Sequence, residues 1–258
     1  MHIVVCVKQV PDPSQARIDR DTGLVIREGV DKITNPFDLY ALEEAIRLKE
    51  SFGGQVTAIS MGPPAAKEVL KDAIAMGVDS GILLSDRQFA GADTLATSYT
   101  LAQAIRKLGD VALIICGKQA ADGDTAQVGP GLAANLDFSH VTQVRKIRQL
   151  NSTETVVERL TDTGYEVLGL RLPAVITVVK EINEPRLPGL RGMMRAKKAE
   201  IPLWDSQVLD VDPKRVGLNG SPTQVWRTFE PARHQKGEML VGSPSEQAAL
   251  LLDRLRSL

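Results

Sequence analysis

Gly117-Lys118-Gln119-Ala120-Ala121-Asp122-Gly123-Asp124-Thr125-Ala126-Gln127-Val128-Gly129-Pro130 follows the apolar run Val111-Ala112-Leu113-Ile114-Ile115-Cys116 and precedes a helical pattern carrying Leu132, Ala133 and Leu136. An apolar run of that length reads as a strand buried on both faces of a parallel sheet. The order is then strand, small-residue loop, helix. Such a loop exposes backbone N–H groups at a helix start, where the helix dipole adds partial positive charge, and together they make a seat for a phosphate. Small side chains at Gly117, Ala120, Ala121, Gly123, Thr125 and Ala126 let a ligand reach the backbone. Asp124, with Gln127 three residues on, is expected as cap and capping partner. Capping accounts for Asp122 and Asp124 better than contact with a phosphate of like charge; ribose hydroxyls are an alternative partner. Pro130 belongs in the first turns of the helix or kinks it. Local pattern alone equally fits a tight turn that binds nothing.

Upstream, strand-like runs at residues 3–7, 56–61 and 81–84 alternate with helical patterns. The first helix is expected after Asn35 as cap, with Pro36 in its first position and Asp38 in its first turn. It buries Leu39, Leu42, Ile46 and Phe52. The second starts near Pro64 and buries Val69, Leu70 and Ile74. The third starts near Asp93 and presents Leu95, Tyr99, Ala102, Ile105 and Leu108 at helical spacing. This alternation predicts a doubly wound, Rossmann-like α/β fold, a parallel sheet with helices on both faces. In the common strand order, the first strand and the 111–116 strand flank the switch point, and ligands bind at their carboxyl ends. Residues 6–12, 35–38, 61–64 and 117–130 should converge there. Residues 17–27 read as a small hairpin around Asp21-Thr22-Gly23.

Beyond Leu136, residues 144–150, 155–160, 166–172 and 174–179 read as strands. After Asn183 periodicity fades and prolines recur at 185, 188, 202, 213, 222 and 231. The expected division is a nucleotide- or flavin-binding domain over 1–183 and a C-terminal arm with a terminal helix over 184–258. Trp204, Trp226 and Phe229 suit an arm ordered on another subunit better than a solvated linker. The terminal helix, about 244–258, gathers Ala248, Leu251, Leu252 and Leu255 on one face.

The formal net charge of −1 gives no basic excess for nucleic acid, and no apolar run is long enough to span a membrane. The start of the chain reads as a first strand rather than a signal peptide, and a cytoplasmic location is expected. Cys6 and Cys116 form no CxxC, and His2, His140 and His234 have no ligand spacing, so no metal site is expected. The default role of both cysteines is that of small buried apolar residues. GxGxxG, GxxxxGK[ST] and GxSxG are all missing, so dehydrogenase-type, P-loop and acyl-transfer readings lose support. In Leu187-Pro188-Gly189-Leu190-Arg191-Gly192-Met193-Met194, a leucine between prolines and glycines is either an anchor for a partner's pocket or a packed turn.

The string 117–130 closely resembles the nucleotide-binding segment of electron transfer flavoprotein β subunits. Val5-Cys6-Val7-Lys8-Gln9-Val10-Pro11-Asp12, Asn35-Pro36-Phe37-Asp38, Met61-Gly62-Pro63-Pro64, Asn183-Glu184-Pro185-Arg186 and Arg195-Ala196-Lys197-Lys198-Ala199-Glu200-Ile201-Pro202 look like further landmarks of the family in the right order. The resemblance implies a heterodimer in which the arm embraces an α subunit that holds FAD. It implies AMP in the β crevice in the conventional branch, or a second FAD that takes hydride from NADH in the electron-bifurcating branch. Cofactor-binding candidates on this basis are Cys6, Val10, Pro11, Asp12, Asn35, Pro36, Phe37, Asp38 and Met61. From the loop come Ala120, Ala121, Asp122, Gly123, Asp124, Thr125, Ala126, Gln127, Val128, Gly129 and Pro130. Partners implied are an acyl-CoA-type dehydrogenase or quinone oxidoreductase, and ferredoxin or flavodoxin if bifurcating. Leu190 aligns with the leucine that docks the dehydrogenase.

Val10-Pro11-Asp12, Asp38 before Tyr40-Ala41-Leu42-Glu43, and residues 122–130 look like the bifurcating branch, including its Fix-type members. Gly123 and Ala126 replace bulkier residues of the conventional branch and leave more room. Pro13 departs from the threonine usual there. FAD is therefore favoured over AMP. An adenine-nucleotide-sensing or ATP-hydrolysing α/β protein stays open as another class, and would leave the arm unexplained.

Overall fold

The computed structural model describes residues 1–12, 14, 17–18, 25–26, 31–226, 237 and 239–256. The apolar runs become strands and the amphipathic stretches helices, in the order β1 (His2–Cys6), β2 (Gln9–Pro11), β3 (Arg17–Ile18), β4 (Val25–Ile26), β5 (Lys32–Thr34), α1 (Pro36–Phe52), β6 (Gln55–Met61), α2 (Lys67–Met76), β7 (Ser80–Leu84), α3 (Thr94–Leu108) and β8 (Leu113–Gly117). There follow α4 (Val128–Leu136), β9 (Ser139–Leu150), β10 (Glu154–Thr161), β11 (Gly164–Arg171), β12 (Ala174–Val178), α5 (Leu190–Lys198), β13 (Leu203–Trp204) and α6 (Pro244–Arg256). One nine-stranded sheet has the order β11-β10-β9-β12-β8-β1-β6-β7-β13. It is parallel from β9 to β13, and β10 and β11 extend it antiparallel. The chain runs outward from β1 to β6 and β7, then returns to place β8 on the other side of β1. The switch point therefore lies between β1 and β8, as the alternation of elements predicts.

Strand side chains alternate between two cores, as a period of two requires. Ile3, Val5, Ala58 and Ile115 pack beneath α1 and α2 with Leu42, Ile46 and Leu70. Val4, Cys6, Ile114 and Cys116 face α3 and α4 with Tyr99, Ile105 and Leu132. Pro36 opens α1 with Asp38 in its first turn. Asp93 caps α3 by accepting from the N–H groups of Leu95 (2.9 Å) and Ala96 (3.1 Å). Two expected core residues lie outside. Leu95 and Phe52 are exposed: Leu95 lies off the buried face of α3, which includes its neighbour Ala96, and Phe52 ends its helix. β3 and β4 pair antiparallel, giving the two strands of the expected hairpin. Its tip, and Pro13 before it, lie outside the described residues.

The chain stays on the domain well past Asn183. α5 lies along α2, where Arg195 Nη2 donates to the carbonyls of Ile74 and Val78, both at 2.7 Å. β13 closes the sheet edge beside β7. Leu209 and Val216 are buried, and Asp212 N donates to the Tyr99 hydroxyl at 3.1 Å. Thr223 binds Asp93 through its backbone N–H (3.1 Å) and its hydroxyl (2.8 Å). Non-periodic chain can be held this way, by side chains that satisfy helix ends and turns, which a search for periodicity misses. From Gln224 on the described chain is largely uncovered: Trp226 is 96% exposed and α6 buries no residue. Phe229 and Pro231 lie outside the described residues.

Candidate functional site

The carboxyl ends of β1 and β8 lie side by side, with Cys6 in register with Cys116. The start of α1 locks onto both. Asn35 N donates to Lys8 O (2.9 Å), and Lys8 N donates to Asp38 Oδ2 (2.8 Å). Gly117 N also donates to the Asp38 carboxylate. A Cβ on Gly117 would overlap that carboxylate and lie 2.7 Å from the carbonyl carbon of Phe37, so the close approach requires glycine.

Asn35 occupies the N-cap position of α1, but its side chain makes no cap hydrogen bond. It reaches instead to the 117–130 loop, donating from Nδ2 to Gln119 O (2.9 Å) and accepting at Oδ1 from Ala121 N (3.0 Å). This corrects the expected capping role. Lys8 Nζ crosses to the same loop and contacts both oxygens of Asp122, at 2.7 and 2.9 Å. Asp124 accepts from Gln119 Nε2.

The loop turns tightly. Gly123 N and Asp124 N both donate to Ala120 O, and Asp124 and Ala126 adopt left-handed backbone with φ of 52° and 55°. The capping box expected of Asp124 and Gln127 does not form. Asp124 is turned back toward Gln119, and α4 begins at Val128 with Gln127 in the cap position and no side-chain cap. Pro130 falls in the first turn, as expected. Gly129 is buried, and a Cβ there would overlap the Thr177 Cγ2 methyl on β12, so α4 starts pressed against the sheet.

The expected site residues separate into two layers. Ala121, Asp122, Gly123, Asp124, Thr125 and Gln127 are exposed at the mouth, while Pro11, Asp12, Pro36, Phe37, Met61, Ala120, Ala126, Val128 and Pro130 are half-buried around it. Cys6, Val10, Asn35, Asp38 and Gly129 are buried and form the floor. Burial pushes the Asp38 carboxyl up to about 7, against the hydrogen bonds from Asn35, Lys8 N and Gly117 N and the Lys8 charge. The Cys116 thiol is pushed well above its ordinary value by its hydrogen bond with Cys6 and by burial, so Cys116 is inert packing at neutral pH.

Sequence reasoning missed Lys8 and Gln119. Both lie in quoted motifs, and a lysine just past a buried strand is the signal that could have marked Lys8. Their pairing weakens the like-charge objection to a phosphate, because Lys8 offsets the charge of Asp122 and Asp124 is turned aside to Gln119. The first-turn N–H groups of α4 lack a side-chain acceptor, and a Cβ on Gly123 meets nothing within 4 Å. This donor set fits the phosphate of a nucleotide or dinucleotide.

Residues 22–209 match the electron transfer flavoprotein domain family. The chain belongs to that family. An electron transfer flavoprotein subunit beta of Thermoanaerobacterium thermosaccharolyticum is 46% identical over 258 residues, spanning 100% of this chain and 98% of the relative. The caffeyl-CoA reductase–Etf complex subunit CarD of Acetobacterium woodii is 46% identical over 258 residues, 99% of this chain and 98% of the relative. Protein FixA of Bradyrhizobium diazoefficiens is 45% identical over 262 residues, 99% of this chain and 91% of the relative. An electron-transfer role of the β-subunit and FixA type follows, with a flavin or nucleotide cofactor and an α partner in general terms. Among the described residues no helix is long and apolar enough to cross a membrane.

In this family member the 187–194 stretch is not a free loop. Leu190 is the first residue of α5 and is 71% exposed, and Leu187, Met193 and Met194 are exposed beside it.

Proposed function

We propose that this chain is the β subunit of an electron-bifurcating electron transfer flavoprotein, seating FAD in the crevice between β1 and β8. The observation that carries the reading is the mouth of the crevice. An uncapped helix start, small side chains and two carboxylates already engaged leave backbone donors open to a pyrophosphate. Gly123 and Ala126 leave room there, and the likeness of residues 122–130 to Fix-type members, with a FixA relative 45% identical, supports the bifurcating branch over the AMP-holding one.

When bound, FAD supplies hydride acceptance from NADH and electron transfer by single steps; that chemistry is the cofactor's. The chain's own residues seat and shield it. Thr125 and the uncapped start of α4 offer backbone donors at the mouth, the small side chains of Ala121 and Gly123 leave space beside them, and Lys8 balances charge. Asn35 and Asp38 hold the two strand exits in place, and Val10, Cys6 and Cys116 keep water from the floor. The exposed chain from Gln224 on, with α6, is the arm that embraces the FAD-bearing α subunit. Leu190 docks an acyl-CoA-type dehydrogenase, and ferredoxin or flavodoxin takes the second electron.

The test is to purify the chain with its α partner and count cofactors. Two FAD per heterodimer are expected. One FAD with one AMP would overturn bifurcation and leave a conventional carrier. No flavin, with nucleotide bound to this chain alone, would point to an adenine-nucleotide sensor.

A further inference from the structure

Away from the crevice, a dense set of hydrogen bonds joins α1 to the segment just before α5. Glu43 is 1% exposed, and nothing in the redox reading uses its buried carboxylate. Arg186 wraps it. Arg186 N and Nε donate to Glu43 Oε2 at 3.1 and 2.8 Å, and Nη2 donates to Oε1 at 3.2 Å. The same guanidinium donates to both oxygens of Glu50, at 2.6 and 2.9 Å. Arg47 closes the knot from the other side, donating to Glu43 Oε1 (2.5 Å) and to Glu184 O (3.1 Å). Asn183 Nδ2 adds bonds to Tyr40 O and Glu44 Oε2, both 3.0 Å.

Four consecutive residues, 183–186, are thus tied by three of their members to one face of α1. A bond to the Arg186 backbone N–H fixes the path of the chain as well as a side chain. Directly after this root stands Leu187, 91% exposed, and three residues later Leu190. A solvated turn gains nothing from a root of this kind, whereas a turn that must present apolar side chains to a partner gains affinity when its shape is set beforehand. The root is α1 itself, whose first turn carries Asp38 at the crevice floor, five residues and about 7.5 Å of helix rise from Glu43.

We propose that Glu43, through Arg186, is a positioning residue that presets the Leu187–Leu190 turn for docking an acyl-CoA dehydrogenase, on the same helix that anchors the crevice. This rests on the docking reading of Leu190. Glu43 touches neither cofactor nor dehydrogenase. It holds Arg186, and Arg186 holds the path of the turn. Burial alone would raise the Glu43 carboxyl, but hydrogen bonds from Arg186 and Arg47 outweigh it and hold the group below its ordinary value, so it stays ionised at neutral pH.

The experiment uses the heterodimer with its α subunit, as wild type, Glu43→Gln, Arg186→Lys and Leu190→Ala. Arg186→Lys keeps the charge but loses the planar fork that spans two carboxylates, and it sits on the surface side of the knot where folding is safe. A purified short-chain acyl-CoA dehydrogenase serves as the redox partner. Glu43→Gln and Arg186→Lys are expected to raise KM for the dehydrogenase about tenfold, which corresponds to about 1.4 kcal/mol, with kcat and flavin content within twofold of wild type. Hydrogen exchange at the amides of Arg186, Leu187 and Gly189 should quicken at least tenfold in both. Unchanged KM and exchange in both variants, with a raised KM in Leu190→Ala, would overturn the positioning role and leave the docking reading intact. A normal KM in Leu190→Ala would overturn the docking reading and the positioning role with it. Loss of flavin or of kcat alongside the KM change would mark the knot as general support for the fold, and would also overturn the proposal.

Discussion

Asp38 should make the stability of this protein depend on pH in a direction opposite to that of most carboxylates. Its carboxyl is buried at the start of α1 and lies at about 7, against an ordinary value of 3.8. A folded-state value above the unfolded one means that the stability linked to this group is complete below about 3.8 and is lost as pH rises to 7. The full span corresponds to about 4 kcal/mol, of which about 3 kcal/mol falls between pH 5 and 8. Asp38→Asn removes the titration. It also leaves either Lys8 N–H or Gly117 N–H without an acceptor, a pH-independent offset of about 1–3 kcal/mol. Urea unfolding of both proteins at pH 5, 6, 7 and 8 separates the two effects, since every other titrating group is shared. The difference in unfolding free energy should move by about 3 kcal/mol in favour of the variant between pH 5 and 8. A difference that is flat with pH would show that the carboxylate is ionised throughout at little cost, with its three donors outweighing burial.

Three further outcomes are expected. Gly129→Ala should cost about 1–3 kcal/mol by forcing a methyl into the Thr177 methyl, and Thr177→Ser in the same chain should recover most of it; a fully stable single variant in thermal unfolding would refute the close approach of α4 to β12. Gly123→Val should leave the urea midpoint unchanged, because its new side chain meets open space, yet lower the nucleotide content of the heterodimer. An unchanged nucleotide stoichiometry would remove the loop from the site. Ending the chain after Gln224 should leave a folded domain that no longer pairs with α, whereas ending it at Asn183 should aggregate, since that cut uncovers the edge of β7 and one face of α2; size-exclusion chromatography distinguishes the two.

The sequence is most legible wherever it repeats. Strand and helix alternation from β1 to β8 comes from spacing, and the switch point follows from it through the common strand order. The crevice was legible as a set of four segments because the topology alone brings them together. Single side chains were less so. Asn35 stands at the N-cap position, but a competing pair of bonds to Gln119 and Ala121 claims its amide. Asp124 sits in left-handed backbone, which takes it away from the helix it was expected to cap. Lys8 with Asp122 and Glu43 with Arg186 are joined across more than a hundred residues of chain, and no local pattern announces such pairs. The segment after Asn183 looked like an arm because its order comes from polar fastenings rather than an amphipathic stripe.

The bare stretch around Trp226 has a consequence for how this subunit is supplied. A newly made copy folds its sheet but leaves Val225, Trp226, Met239, Val241 and the leucines of α6 in water. Apolar residues so displayed invite self-association and capture by proteases and chaperones. The half-life of an unmatched copy is then set by how soon a partner covers that surface. Under the proposed pairing, in which the α subunit covers that surface, synthesis of the two subunits in equal numbers and close together favours survival of this chain.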